Sequence, residues 1–517
     1  MSKNQILDCC FLVCENSLKS YQELSKTYAA IEPPTWALLL AQSTRSVGFN
    51  VKIIDANAEK LSKEDILKRI KILSPKLICF VVYGQNVNAG TTNMSGAVYL
   101  ANFLKENKIK IPLSIIGSHV QALPKETLKK EKSIDFVFTN EGVYSLRNIL
   151  KLNDFSPINL NTIKGIAYRN GDQIIMSPPE KVVPTDKMDE DLPGYAWDLL
   201  PYDKKPLDLY RSPMWHAEYD HNKRSPYASI QTSLGCMFGC NFCMINIINR
   251  NDNEEIGVAS NYRNMRFWST DFIIKEFDKL ISMGIKTIRI VDEMFLLNPK
   301  YYIPLCKKLA ERNKDDSLRM WSYSRIDTVK RLEVLNLVRK AGIKWLALGI
   351  ESSDKSVRLE ISKGKFEDVD IKKVIERVHS ADINVMANYI YGLPGDTKKT
   401  INKTLKLSLD LCTAGWNTYG AMALPGSKLY KDAKLKKIKV PDSYEGFSFH
   451  SYDTLPLPTE TLTAKEVITL RDEAFNKYHT HKSFLKLIEK KFGKIAADNI
   501  LQMTKIKLKR KIKGDQL

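Results

Sequence analysis

The feature that most constrains this chain is an alternation between short apolar runs and helical patterns, sustained for about two hundred residues. From Tyr227 onward, strand-like runs stand at Ala228–Thr232, Thr287–Val291, Met320–Tyr323, Trp345–Ile350, Asn384–Tyr391 and Thr418–Ala423. Helical patterns fill the intervals at Thr270–Met283, Tyr302–Arg312, Glu333–Ala341, Ile371–Ala381 and Thr400–Cys412. Strands apolar on both faces, each followed by a helix, belong in a parallel sheet. Repeats of about 35 to 40 residues predict a partial (β/α)6 TIM-type barrel, a pattern that a second open parallel sheet would share. In a barrel the strand ends and the loops after them carry the chemistry.

The first 150 residues alternate in the same way. Ile6–Cys14, Val51–Asp55, Lys76–Tyr83, Leu113–Ile116 and Ile134–Phe138 read as strands, with helices at Pro34–Val47, Ile66–Leu73 and Ala97–Lys105. This predicts a doubly wound, Rossmann-like α/β domain that binds its ligand beyond the carboxyl ends of the strands. No GxGxxG follows the first strand, and GxxxxGK[ST] occurs nowhere. Small residues end the later strands instead, at Gly84, Gly117-Ser118-His119 and Glu141-Gly142, where they would let a bulky ligand approach the backbone. The expected division is an N-terminal domain at 1–150, a hairpin around Asn170-Gly171 with a proline-rich connector at 151–225, the barrel at 226–435, and a small helical extension with a basic tail at 436–517.

Seventy-nine Lys and Arg against 59 Asp and Glu leave a net charge of +20. The lysines are spread thinly, with one dense run at Lys505–Lys513, so the excess reads as a solvated surface and nucleic acid is not an expected partner. Apolar runs such as Trp36–Ala41 fall far short of the roughly 18 residues that span a bilayer. No signal peptide is read at Met1-Ser-Lys-Asn-Gln, which predicts a cytoplasmic, reducing setting. Of the nine cysteines, Cys9, Cys10, Cys14, Cys79, Cys306 and Cys412 fall in strand or helical patterns and read as small core residues.

The other three thiols stand within eight residues, in Thr232-Ser-Leu-Gly-Cys236-Met-Phe-Gly-Cys240-Asn-Phe-Cys243, on the loop after the first barrel strand. Three thiolates so close call for a metal or a cluster. Structural zinc wants four closed ligands, often two CxxC pairs, and here only His216 or His221 is at hand as a fourth. Three thiolates on a compact loop suit an iron–sulfur cubane with one iron left open.

CxxxCxxC with an aromatic residue, Phe242, just before its last cysteine resembles the signature of the radical SAM superfamily. Over about residues 226–430 that resemblance implies a 4Fe–4S cluster on Cys236, Cys240 and Cys243, S-adenosylmethionine on the open iron, and formation of a 5′-deoxyadenosyl radical. It also implies that Asp292 and Glu293 lie near the methionyl amine, Arg325 and Glu351 at the methionyl carboxylate and the ribose, and Asn388 and Gly392 near adenine. The first domain, through Ile116-Gly-Ser-His-Val-Gln-Ala-Leu-Pro124 and Asp135-Phe-Val-Phe-Thr-Asn-Glu-Gly142, resembles the cobalamin-binding domain found ahead of many radical SAM barrels. It lacks the DxHxxG segment that supplies a lower axial histidine. Cobalamin would then bind without one, with Gly84, Gly117, Ser118, His119, Glu141 and Gly142 as candidate contacts.

Together the resemblances imply a cobalamin-dependent methyltransferase acting on an unactivated carbon of a small molecule. A radical oxidation or ring formation is the alternative, and a non-catalytic cobalamin or iron–sulfur sensor is the alternative of another class. A flavodoxin or ferredoxin would donate the electron. Trp215, His216 and Tyr419 are candidates for lining the substrate pocket.

Overall fold

The computed structural model describes residues 6–14, 17–84, 87–203, 207, 209–213, 225–329, 331–362, 366 and 368–517. Strands apolar on both faces have to sit inside a sheet covered on both sides, and the first five do. β1 (Cys9–Val13), β2 (Val51–Asp55), β3 (Leu77–Val82), β4 (Leu113–Gly117) and β5 (Phe136–Phe138) run parallel in the order β2-β1-β3-β4-β5. Every residue of β3 is buried. The expected hairpin, β6 (Ile166–Asn170) and β7 (Gln173–Met176), pairs antiparallel on β5, so it extends this sheet instead of standing apart in the connector. In such an order the winding reverses between β1 and β3, and a crevice opens at that switch point.

β8 (Tyr227–Ile230) begins the second sheet. After it, β9 (Ser233–Cys236) and β10 (Asn264–Phe267) form a separate antiparallel ribbon. The sheet continues with β11 (Thr287–Ile290), β12 (Arg319–Arg325), β13 (Ile343–Glu351), β14 (Asn384–Tyr391) and β15 (Gly415–Gly420). All six strands are parallel and ordered as in the chain. Its two edge strands, β8 and β15, do not pair among the described residues, so this is a partial barrel. The last strand begins three residues before its expected start, for a packing reason. A Cβ at Gly415 would stand 2.5 Å from Met386 Cε and 3.1 Å from its Cα, so the glycine permits close approach to β14 and does not mark a turn.

Three helices, Ala464–His479, Lys482–Phe492 and Lys494–Lys505, pack against the β13–β15 end of the barrel. Trp416 of β15 stacks on Tyr478 at 5.1 Å, and Trp345 of β13 on Phe492 at 5.6 Å. The basic run after them is not simply a solvated surface. Arg510 is buried, with its guanidinium on Asp472 at 2.8 Å and on the Ser451 carbonyl at 3.0 Å. Gln22 of the first domain donates to the carbonyls of His450 and Lys509 and accepts from Lys509 N. A second tie is buried deeper: Glu32 pairs with Arg289 of β11 at 2.6 Å and accepts from the Tyr227 hydroxyl at 2.6 Å. No helix among the described residues is long and apolar enough to cross a membrane.

Candidate functional site

Cys236 ends β9, and Cys240 and Cys243 lie on the loop that follows. The ribbon closes tightly just before them. Gly235 has φ 81°, and a Cβ there would stand 2.1 Å from the Asn264 carbonyl oxygen. Asn246 braces the loop, accepting from Cys236 N at 2.8 Å and donating to the Phe238 carbonyl at 3.2 Å. Each sulfur also has a donor beside it. Phe238 N donates to Cys236 Sγ at 3.4 Å, Ile245 N to Cys243 Sγ at 3.5 Å, and the Arg325 guanidinium to Cys240.

Burial pushes the Cys236 thiol up to about 12 and Cys240 to about 11, and it holds Cys243 well above the usual thiol range. Mutual repulsion among the three adds to this, so three thiolates need a cationic centre between them. Among the described residues no three His, Cys, Asp or Glu side chains converge on a single-ion position, and His216 and His221 lie outside those residues. Three sulfurs along one loop, each with an N–H donor, fit an iron–sulfur cluster.

Two carboxylates flank the loop with no hydrogen-bond partner among the described residues: Glu293, just beyond β11, and Glu351, at the end of β13. Burial raises Glu293 to about 7, opposed by Arg289, and raises Glu351 to about 8, opposed by Arg325. The Glu293 charge acts on Cys236 and Cys243, and the Glu351 charge on Cys240. Glu351 adopts φ 64°, a left-handed conformation unusual outside glycine, where the β13–β14 register slips between Gly349 and Glu351. A bulge re-aims a side chain, and strain of this kind costs on the order of 1–3 kcal/mol. Gly349 makes room for the result, since a Cβ there would lie 2.6 Å from Glu351 Oε1.

The other barrel candidates are engaged by the protein. Asp292 accepts from Thr232 N and Oγ1, each at 2.6 Å, and from Ser233 Oγ at 2.5 Å, so it anchors the start of the thiol loop. Its burial raises it to about 6, and these bonds oppose the rise. Arg325 donates through Nε and Nη2 to Asp327 and lies 3.7 Å over the Phe238 ring. Asn388 Oδ1 accepts from Asn417 at 3.2 Å and from Tyr419 at 3.4 Å. Phe242 packs with Tyr419 on a small cluster of Val357, Ile361, Ile390, Leu393 and Ala421. Gly392, at φ 82°, donates to Asp396 Oδ2 and leaves room for Val467 of the C-terminal helix.

In the first domain, Gly84 is exposed at the β1–β3 switch point. Nearby, Asn88 Oδ1 accepts from Met244 N of the thiol segment at 3.1 Å. Residues 15, 16, 85 and 86 of these loops lie outside the described residues. Beyond β4 and β5 the clearance is used internally. A Cβ on Gly117 would stand 2.1 Å from the Val82 carbonyl oxygen, one on Gly142 2.4 Å from Ile116 Cδ1, and Ser118 fills the space beside Gly90.

His119 is buried, 3.2 Å from Thr91 Oγ1 and edge-on to Tyr444, and burial lowers it to about 3, so it is neutral. Glu141 pairs with Arg266 of β10 at 2.7 Å and accepts from Val183 N. The sheet order therefore fits a corrinoid at the switch point, and beyond β4 and β5 the side chains of His119 and Glu141 are engaged by the protein.

The sequence assigns no role to Arg289, and the segment Arg471–Phe475 reads only as packing over the barrel or closing the site. Arg289 lies 4.7 Å over Trp321 and 5.0 Å over Tyr323, and it bonds the Tyr323 hydroxyl. The one signal for it was a cation inside the apolar run Thr287-Ile-Arg-Ile. Trp215 and His216, candidates for the pocket, lie outside the described residues.

Residues 230–408 match the radical SAM superfamily, and residues 24–150 match the B12 binding domain. The anaerobic magnesium-protoporphyrin IX monomethyl ester cyclase of Cereibacter sphaeroides is 23% identical over 465 residues, covering 86% of this chain and 66% of that protein. An uncharacterized methyltransferase of Pyrococcus horikoshii is 26% identical over 408 residues, covering 78% of each chain. The fold is shared with the radical S-adenosylmethionine methyltransferase TsrM of Kitasatospora setae, solved with cobalamin and a 4Fe–4S cluster bound. That superposition has a TM-score of 0.63 at 13% identity and covers 92% of this chain and 88% of that one.

Proposed function

Since the chain is a radical SAM enzyme with a B12-binding domain ahead of its barrel, we propose that it transfers a methyl group to an unactivated carbon of a small organic molecule. When bound, the 4Fe–4S cluster supplies one electron for cleavage of S-adenosylmethionine, and cobalamin carries the methyl group. Cys236, Cys240 and Cys243 hold the cluster. Glu293 accepts from the methionyl ammonium, and Glu351 accepts from the ribose hydroxyls. Each of these carboxylates is half-buried, lacks a donor among the described residues, and stands beside the thiol loop. That pairing of unsatisfied acceptors with three donor sulfurs is the observation that carries the reading, because a buried carboxylate without a donor is costly.

Asp292 positions the thiol loop, and Arg325, already held by Asp327, keeps a positive charge at Cys240. The loop after β3 of the B12-binding segment meets the thiol segment through the Asn88–Met244 bond. A flavodoxin- or ferredoxin-like donor in a reducing cytoplasm completes the proposal.

The test is anaerobic reconstitution of the full chain with iron, sulfide and hydroxocobalamin, then desalting, reduction and addition of methyl-labelled S-adenosylmethionine. About one corrinoid per chain, 5′-deoxyadenosine, and label moving through cobalamin into a product support the reading. No deoxyadenosine from a loaded cluster would refute it. The cyclase relative favours ring-forming oxidation as the second reading, and that reaction would yield deoxyadenosine and a dehydrogenated product without label.

A further inference from the structure

The helix Ala464–His479 lies outside both matched segments, yet it sends an arginine to the inner end of the barrel. Arg471 is 4% exposed. Its Nε donates to the Thr418 carbonyl at 2.9 Å and its Nη1 to Asp472 at 3.2 Å, while Nη2 has no hydrogen-bond partner among the described residues. The guanidinium lies 4.9 Å over the Phe449 ring.

Tyr419 of β15 connects this arginine to the thiol loop. Its hydroxyl feels the charges of Glu351, Arg289 and Arg471 together, donates to Asn388 Oδ1 at a long 3.4 Å and also meets the Asn417 side chain. The Tyr419 ring meets Phe449 edge-on at 5.0 Å. Next to Phe449, the His450 ring has a buried Nδ1 without a hydrogen-bond partner.

The local charge does not balance. Arg471, Arg510 and Lys513 converge on one carboxylate, Asp472, which they hold down at about 2. His450 adds no charge, because burial and the two arginines keep it neutral. Arg471 and Arg510 are both buried on that one carboxylate, so one positive charge remains in excess where water is largely excluded, and a guanidinium in that position prefers a carboxylate or phosphate.

We infer that Arg471 and the Tyr419 hydroxyl form the anchor for an oxyanion group, carboxylate or phosphate, on the organic substrate, with its apolar body along Phe449. This rests on the proposed function, which sets the chemistry beside the thiol loop, where Phe242 packs with Tyr419 on one apolar cluster.

The experiment titrates the anaerobically reconstituted full chain with three probes of one shape: 2-naphthoate, 2-naphthyl phosphate and the neutral 2-naphthalenemethanol. The wild type should bind one or both anions at least about tenfold more tightly than the alcohol, as a charge-assisted contact implies. Whichever anion binds more tightly identifies the group. Arg471→Gln should remove the preference, Arg471→Lys should restore part of it, and Tyr419→Phe should weaken it severalfold. Equal affinities in the wild type, or a preference that survives Arg471→Gln, would overturn the inference. If Arg471→Gln fails to fold, the wild-type comparison and Tyr419→Phe still decide it. Deoxyadenosine formation by the wild type is read separately. Anion preference without deoxyadenosine keeps this site and removes the radical reading, and the reverse removes the site alone.

Discussion

Glu351→Gln keeps the shape of a strained side chain and removes its charge, so it separates what Glu351 costs the fold from what it does for the site. Burial raises this carboxyl from 4.5 to about 8, which in a dry site would set roughly 5 kcal/mol against the charged form. The group is half-buried, and solvent screening reduces that to about 1–2 kcal/mol. A folded-state value above the unfolded one stabilises fully below 4.5, and that stability is lost as pH rises through about 8. Glutamine never charges.

The variant should therefore match the wild type near pH 4.5 and melt about 1–2 °C higher at pH 8.5, in calorimetry without S-adenosylmethionine. The φ of 64° is common to both, so backbone strain cancels. Function should move the other way. Losing a charged acceptor for the ribose costs about 1.5–3 kcal/mol, or tenfold to a hundredfold in KM for S-adenosylmethionine, read from deoxyadenosine formation. A variant less stable than the wild type at pH 8.5 would refute the burial argument, and an unchanged KM would refute the assigned role.

Cys236→Ser, Cys240→Ser and Cys243→Ser should each lower bound iron and visible absorbance after reconstitution, while far-ultraviolet circular dichroism stays constant. Asp292→Asn loses the charge that holds Thr232 and Ser233, about 1–3 kcal/mol, and should show as faster iron loss on desalting. Arg266→Met leaves Glu141 buried without its cation, and thermal melting should report a loss of about 3–5 kcal/mol. Gly117→Ala drives a methyl against the Val82 carbonyl and should lower the unfolding free energy read from urea titration by about 1–3 kcal/mol, with or without corrinoid.

Local pattern made the scaffold legible. β14 coincides with its expected limits, Asn384–Tyr391, because Val385 and Tyr389-Ile390-Tyr391 favour strand and Gly392-Leu-Pro-Gly395 punctuates its end. The thiol loop was legible because three cysteines so close have little else to do. What remained hidden depends on partners distant in sequence. Asp292 is expected near the methionyl amine, and its bond to Thr232, sixty positions earlier, shows only in the fold. The left-handed turn at Glu351 arises from its pairing with β14, which no local pattern encodes. Gly117 correctly signals clearance, but a glycine does not say whether a ligand or a neighbouring strand will use it. Arg471 sits in a helix whose apolar stripe reads as core, and its meaning appears only beside Tyr419.

The clasp between Gln22 and Lys509 has a consequence for how the holoprotein is made. A bond that spans 487 positions forms only after everything between has been synthesised. The entropy of closing so long a loop grows only logarithmically with its length, but the search for the contact is slow. Gln22 also pins the backbone of His450, and with it Phe449 at the inner end of the barrel. The thiol loop emerges well before that pin is set, so its chain neighbours leave an interval in which iron and sulfide can be delivered. Setting the clasp then fixes the inner end of the barrel behind the thiol loop.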